Sequence, residues 1–259
     1  TNPAVKDTDG DGVSDGQEVI DGTNPLDPGS YKSSIGASVC SEWNGFLDLV
    51  NIVEHVNLSS GTIGFKSRLY DIGGAKKSEV SMGVKKGGQV DLIANNMGGF
   101  ATNTYGKVCA TLTKGSAGSL DGRMVYYKAD PAGGYQFAFA MPFGNGLTGA
   151  QYVQFNTVQP SAAALDASNP VANWIQVTNL ETTAQSGSLK YYNNAGTLLL
   201  TEKLKVPAGG RMDRPAHTFG AGKYGIVEWI PQKTTARFQL RNVRYYYDNA
   251  SGNNSFDSA

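Results

Sequence analysis

The sequence predicts an all-β protein: tandem homologous β-sandwich domains preceded by a short acidic loop segment. Three observations predict it. Acidic residues crowd the first thirty positions at regular spacing. A series of landmarks recurs in the same order in two halves of the remaining chain. Short runs of alternating apolar and polar residues, about ten residues apart, are separated by Gly, Pro and Asn turns, which is the rhythm of a sandwich and not of βαβ units.

Composition limits the alternatives. Of 259 residues, 40% are hydrophobic, 10% aromatic and only 17% charged, which argues against disorder. No apolar run reaches the roughly 18 residues of a spanning helix. The sequence opens on neither a basic n-region nor an apolar h-region, so any signal peptide is expected to have been removed already or never cloned. The formal charge of zero hides an asymmetry: residues 1–30 hold seven acids against one lysine. The remaining Lys and Arg are scattered, without the clustered stripe of a nucleic-acid footprint.

The acidic head comes first. Residues 7–18 read D-T-D-G-D-G-V-S-D-G-Q-E. Asp falls at positions 1, 3, 5 and 9 of the loop, Gly at 6 and Glu at 12, the pattern that wraps a calcium ion. A hard cation takes six to eight oxygens at roughly 2.3–2.6 Å. Asp7, Asp9 and Asp11 on alternate residues turn their carboxylates to one centre, and Gly12 permits the bend. The carbonyl of Val13 then faces the metal, Asp15 binds directly or through water, and Glu18 closes the sphere from a short helix over residues 16–20. Magnesium, which keeps its waters, is the lesser alternative.

The string from Asp7 to Pro28, D-T-D-G-D-G-V-S-D-G-Q-E-V-I-D-G-T-N-P-L-D-P, resembles the thrombospondin type 3 calcium repeat in its bacterial form. The resemblance covers about a tenth of the chain. It implies metal ligation by Asp7, Asp9, Asp11, Val13, Asp15 and Glu18, and a stiff calcium-set spacer in an extracellular or cell-surface protein. No second D-x-D-x-D follows, so Asp27 lacks the neighbours it has in tandem repeats, and a dockerin reading is weakened.

The body reads as a duplication. Asn51-Ile52 meets Asn179-Leu180, Gly74 meets Gly196, and Gly87-Gly88-Gln89-Val90-Asp91 meets Gly209-Gly210-Arg211-Met212-Asp213. Tyr105-Gly106-Lys107-Val108 meets Tyr224-Gly225-Ile226-Val227, and Tyr126-Tyr127 meets Tyr245-Tyr246. The expected layout is a spacer over 1–30, a first sandwich over 31–160 and a second over 161–259. Residues 47–52 and 175–180 alternate and predict strands with one buried face. Further strands are expected over 62–69, 188–192, 198–206, 225–230 and 238–247. Residues 135–157 read as a hairpin about Asn145-Gly146. The second copy stops near where that hairpin would begin, which suggests a longer array, packing with a following domain, or a strand supplied by a neighbouring molecule.

The two cysteines, Cys40 and Cys109, form no C-x-x-C motif. Both are private to the first copy, since Cys109 aligns with Glu228. A calcium loop points to an oxidising compartment, so a Cys40–Cys109 disulfide is expected, the alternative being two buried thiols. Neither His55 nor His217 neighbours a nucleophile motif. The Gly-rich stretches open no helix and read as turns. No enzymatic activity is expected. The tyrosines on predicted strands read as core and cross-strand pairs ahead of a sugar-stacking platform. The functional expectation is an extracellular calcium-binding structural or adhesive surface protein. Its partners are calcium and either itself, in a polymer or array built by strand donation, or a surface glycan, the last as a carbohydrate-binding module attached to an enzyme.

Overall fold

The computed structural model describes residues 8–9, 15–21, 24–27, 38–116, 118–158, 171–248 and 253–257. Near the N-terminus a seven-residue helix, α1, spans Asp15–Asp21. Among the described residues everything else with regular structure is strand, apart from single 3-10 turns at Ala94–Asn96 and Ala216–Phe219.

The first eight strands are β1 (Ser38–Asn44), β2 (Val50–Asn57), β3 (Ile63–Asp71), β4 (Lys76–Val84), β5 (Gln89–Ile93), β6 (Tyr105–Lys114), β7 (Leu120–Ala129) and β8 (Tyr135–Pro142). They form two antiparallel sheets, β1-β6-β3-β4 and β5-β2-β7-β8. The next eight are β9 (Gln151–Asn156), β10 (Ala172–Asn179), β11 (Gln185–Asn193), β12 (Leu198–Val206), β13 (Arg211–Pro215), β14 (Tyr224–Pro231), β15 (Phe238–Asp248) and β16 (Asn253–Asp257). Their sheets are β12-β11-β14-β9 and β13-β10-β15-β16, the same arrangement strand for strand. Each pair encloses its own core. Trp43, Val53, Phe65, Leu69, Val108 and Met124 fill the first. Phe155, Ile175, Leu189, Val227, Trp229 and Phe238 fill the second. Burying one such side chain contributes about 1.5–3 kcal/mol.

Small polar devices are duplicated along with the strands, and they correct the expected alignment: Asn51 corresponds to Asn173 and Asn57 to Asn179, and by register Tyr127, not Tyr126, corresponds to Tyr245. Asn51 Oδ1 accepts the Asn44 N–H at 2.8 Å, and Asn173 Oδ1 accepts the Asn156 N–H at 2.8 Å. Asn57 Nδ2 donates to Gly61 O, as Asn179 Nδ2 does to Thr183 O. These amides tie each strand to the end of the strand before it and to the turn after it, which is why Asn stands near both ends of β2 and of β10.

Two expectations are corrected. Residues 135–157 are not a hairpin: β8 pairs with β7, and β9 pairs with β14. The intervening segment carries the chain from one pair of sheets to the other, so the sheets change hands between Pro142 and Gln151, ahead of the boundary expected near residue 160. By register β9 is the counterpart of β1, and β16 that of β8. The second set therefore has all eight strands, and the missing strand pair that motivated strand donation does not exist. The second correction concerns β10. Its partner by duplication, β2, alternates between buried and half-buried residues throughout, but β10 is buried on both faces from Ile175 to Asn179. The reason is the packing of one sandwich on the other.

Candidate functional site

The acidic loop begins at the chain's most regularly spaced carboxylates. Asp9, Asp15 and Glu18 are described; Asp7, Asp11 and Val13 lie outside the described residues. Thr8 donates its N–H to Asp15 Oδ1 at 2.7 Å and its hydroxyl to Oδ2 at 2.6 Å. The loop is thereby closed on itself seven residues apart, and the Thr8 hydroxyl and amide hold the Asp15 carboxyl below its ordinary pKa. One turn further along α1, Glu18 is fully buried. Among the described residues no three such side chains converge on one point, but Asp9, Asp15 and Glu18 are hard oxygen donors of the kind calcium takes. The ion would neutralise the repulsion among the clustered carboxylates and set the segment's shape.

The junction of the two sandwiches is the second site. The outward face of β1 and β6 meets the outward face of β10, β13 and β15, and the contact is polar and closed to water. Glu42 is 1% exposed and pairs with the Arg241 guanidinium at 2.6 Å. Thr178 Oγ1 donates to the same carboxylate at 3.1 Å. Arg211 makes a bidentate pair with Asp213, at 2.7 and 2.6 Å, and lies over the Tyr105 ring at 4.3 Å. Lys107 Nζ donates to Asn179 O at 3.3 Å and stands over the Tyr70 ring. Burial pulls Lys107 down to about 8 against the opposing pull of Glu42. Burial raises the Asp213 carboxyl, against the stabilising charge of Arg211. Backbone is shared too: Arg211 N donates to Ile72 O at 3.0 Å, and Gln239 Nε2 to both Cys40 O and Gly144 O. Val243 and Tyr245 pack against the core of the first sandwich. A junction this densely bonded holds the two sandwiches as one body.

Cys40 and Cys109 face each other across the β1–β6 pair and are joined as a disulfide. At the same cross-strand position of the second sandwich, Tyr152 donates its hydroxyl to Glu228 at 2.8 Å.

A cavity of about 390 Å³ opens at one edge of the junction, lined by Phe46, Tyr105, Trp174 and Tyr245 together with Asn44, Gln176 and the Arg211–Asp213 pair. Gln176 is 5% exposed and its Oε1 takes no hydrogen bond. Aromatic walls with a few convergent polar groups are the composition of a small-ligand pocket.

The sequence singled out neither the junction nor this cavity. Their members come from six strands of both halves, and only the excess of polar residues on β10, β13 and β15 signalled them. The described tyrosines of the two pairs make the following contacts. Tyr126 is buried and stacked on Phe139 at 4.4 Å, its hydroxyl donating to Glu42 O. Tyr127 packs on Tyr135, and Tyr245 accepts from Asn44 Nδ2. The side chains of Tyr246 and Tyr247 lie outside the described residues. His55 sits between Phe65 and Phe143, and burial pushes it down to about 4. His217 Nδ1 accepts the Asn173 N–H at 3.1 Å, its ring edge-on to Trp174.

Residues 7–28 match the family described as Bacterial TSP3 repeat. No curated protein and no solved structure matches the chain. No helix among the described residues is long and apolar enough to cross a membrane.

Proposed function

We propose that the chain is a non-enzymatic, extracellular structural or adhesive surface protein, in which a calcium-set spacer leads into two β-sandwiches locked as a single stiff element. The match of residues 7–28 to a calcium repeat carries this reading. The self-closed loop at Thr8–Asp15 and the buried Glu18 support the spacer, and the polar junction supports a rigid body behind it. Both histidines are taken up by packing or by backbone, which favours a role without acid–base chemistry. The calcium is structural: residues 19–259 offer no second D-x-D-x-D loop with which to open a groove. The test is calcium titration by calorimetry alongside thermal melting. Asp9→Ala or Glu18→Ala should abolish calcium binding and leave the melting of the sandwiches unchanged. Loss of the whole fold in either variant would contradict a spacer.

The junction cavity favours one further reading, binding of a glycan. Its aromatic rings suit the apolar face of a sugar, and its Asn, Gln, Arg and Asp side chains suit vicinal hydroxyls. Titration with oligosaccharides, followed by the fluorescence of Trp174, tests it. A quench that Trp174→Ala removes supports binding at the junction, and no response to any sugar opposes it.

A further inference from the structure

One exposed face of the second sandwich is the duplicate of a face that is already an interface. In the first sandwich the outward side of β1, β6 and β3 receives the second. Registers carry its residues across one by one. Asn44 faces Tyr105 as Asn156 faces Tyr224, and Tyr70 faces Lys107 as Tyr192 faces Ile226. Glu42 faces Lys107 as Gln154 faces Ile226. In the first sandwich Glu42 and Lys107 are buried. In the second, Tyr152, Tyr224 and Ile226 keep 63%, 49% and 49% of their surface. The rings are held in place: Tyr152 and Tyr192 both donate to Glu228, and Asn194 Nδ2 donates to the Tyr224 hydroxyl. Three large groups of this kind on one sheet face form an apolar patch that calls for a cover.

The opposing face is duplicated as well. The second sandwich docks through Gln176, Arg211, Asp213 and Arg241. Their counterparts on the first are Glu54, Gln89, Asp91 and Arg123, because Glu54 faces both Asp91 and Arg123 as Gln176 faces both Asp213 and Arg241. That face is also uncovered. The charges have changed together. In the junction, Arg241 has a neutral Gln176 beside it and pairs across the interface with Glu42. On the first sandwich, Arg123 pairs at home with Glu54, and the position that would face it, Gln154, is neutral. On both faces apolar residues replace polar ones: Ile226 stands for Lys107, and Val56 for Thr178. Each uncovered face is therefore altered in the way that suits the other.

We propose that the β12-β11-β14-β9 face receives the first sandwich of a second copy of this chain, in the geometry of the internal junction. The two faces differ, so the contact is heterologous and propagates head to tail instead of closing as a twofold dimer. It proceeds by face packing and requires neither strand donation nor the calcium reading above. Inside the chain the junction is helped by the tether from Pro142 to Gln151; between chains that help is absent, so association is weak and concentration-dependent.

Sedimentation velocity of the full chain across a concentration series tests this. The mass-average should rise past that of a dimer. Ile226→Glu brings a carboxylate up to Glu54 and Asp91 of the docking face and blocks the receiving face. Arg123→Glu sets two carboxylates side by side and blocks the docking face. Both positions are exposed or half-buried, so folding is spared. Each variant alone should weaken association at least about 100-fold. Their mixture should form a one-to-one dimer and nothing larger, because one good face remains on each. A wild type of constant single-chain mass at every concentration overturns the proposal. So do variants that associate as the wild type does, and variants that block association yet fail to complement when mixed. Binding of the wild-type monomer to a glycan array, lost in Tyr152→Ala and Tyr224→Ala, would make the face a sugar platform and also overturn it.

Discussion

His55 occupies the place in β2 that Val177 occupies in β10: each lies one residue after the strand's central register pair, facing inward. An imidazole in a valine's position, between two phenyl rings, stays neutral, and burial pushes its pKa from the ordinary 6.5 to about 4. Above pH 6.5 both folded and unfolded chains hold it neutral, and it costs nothing. Between 6.5 and 4 the unfolded chain takes up a proton that the folded chain refuses, so stability falls as pH falls through that window. The loss amounts to about 3 kcal/mol. His55→Val should show no such loss. Urea denaturation of both proteins at pH 7 and pH 4 isolates the effect from the carboxylates they share, and parallel pH curves would refute it. Glycine gives a second contrast. Gly74 and Gly196 are counterparts, with φ of 85° and 79°. A Cβ at Gly74 would lie 2.0 Å from Ala208 O in the junction; at Gly196 it would meet nothing within 4 Å. Gly196→Ala should cost only the left-handed backbone penalty, about 1–2 kcal/mol. Gly74→Ala should cost at least about 2 kcal/mol more, since backbone on both sides must move. Equal losses in denaturant midpoints would place Gly74 outside the junction.

At the scale of the elements, local chemistry was legible and partnership was not. β12 is where the sequence puts it, residues 198–206, because Asn-Asn-Ala-Gly and Pro-Ala-Gly-Gly stop it at either end. β2 starts three residues later than its alternation suggests: Leu47 and Asp48 adopt φ of 58° and 52°, and a turned backbone cannot pair. β8 and β9 were misread as a hairpin because an Asn-Gly turn between two apolar runs says nothing about the strand before it or about one roughly 70 residues further on. The polar side of β10 reads as a solvent face, yet its Gln176 and Thr178 are buried by the other sandwich; polarity alone does not reveal a polar interface. The TSP3-like segment over residues 7–28 was legible because its spacing is local and does not depend on a fold. The disulfide was foreseen from the privacy of its two cysteines, and its mechanical role follows from register. β1 is an edge strand whose neighbour β6 lies 69 residues on, and Cys40–Cys109 crosses that pair. Replacing both by Ala should lower stability by about 4 kcal/mol in the loop-entropy account. The loss should appear first as faster amide exchange in β1. An unchanged exchange pattern would show that β6 and Gly144 hold the edge strand without the bridge.

For the whole molecule, the junction decides whether two sandwiches behave as one. Its charges are Glu42 and Asp213 against Arg211, Arg241 and Lys107, with the ammonium in excess. Lys107 is the least settled member: burial lowers it to about 8, and its counterpart in the uncovered face is Ile226. As pH rises from 8 toward the unfolded value near 10.5, the folded chain has released this proton and the unfolded chain still holds it, so stability rises with pH across that window, by about 3 kcal/mol. Lys107→Ile should abolish that rise and leave stability at pH 7 unchanged or higher, because Glu42 keeps Arg241 when the ammonium is gone. Glu42→Ala should do the reverse: it strands Arg241 in a closed interface and costs about 3–5 kcal/mol. Adding Arg241→Ala to that variant should restore a large part of the loss, giving a strongly non-additive double-mutant cycle. Calorimetry makes the distinction at the molecular scale. A junction that couples the sandwiches yields a single melting transition in the wild type, and Glu42→Ala splits it into two. Two transitions in the wild type, or additive single losses, would mean that the sandwiches touch without sharing stability.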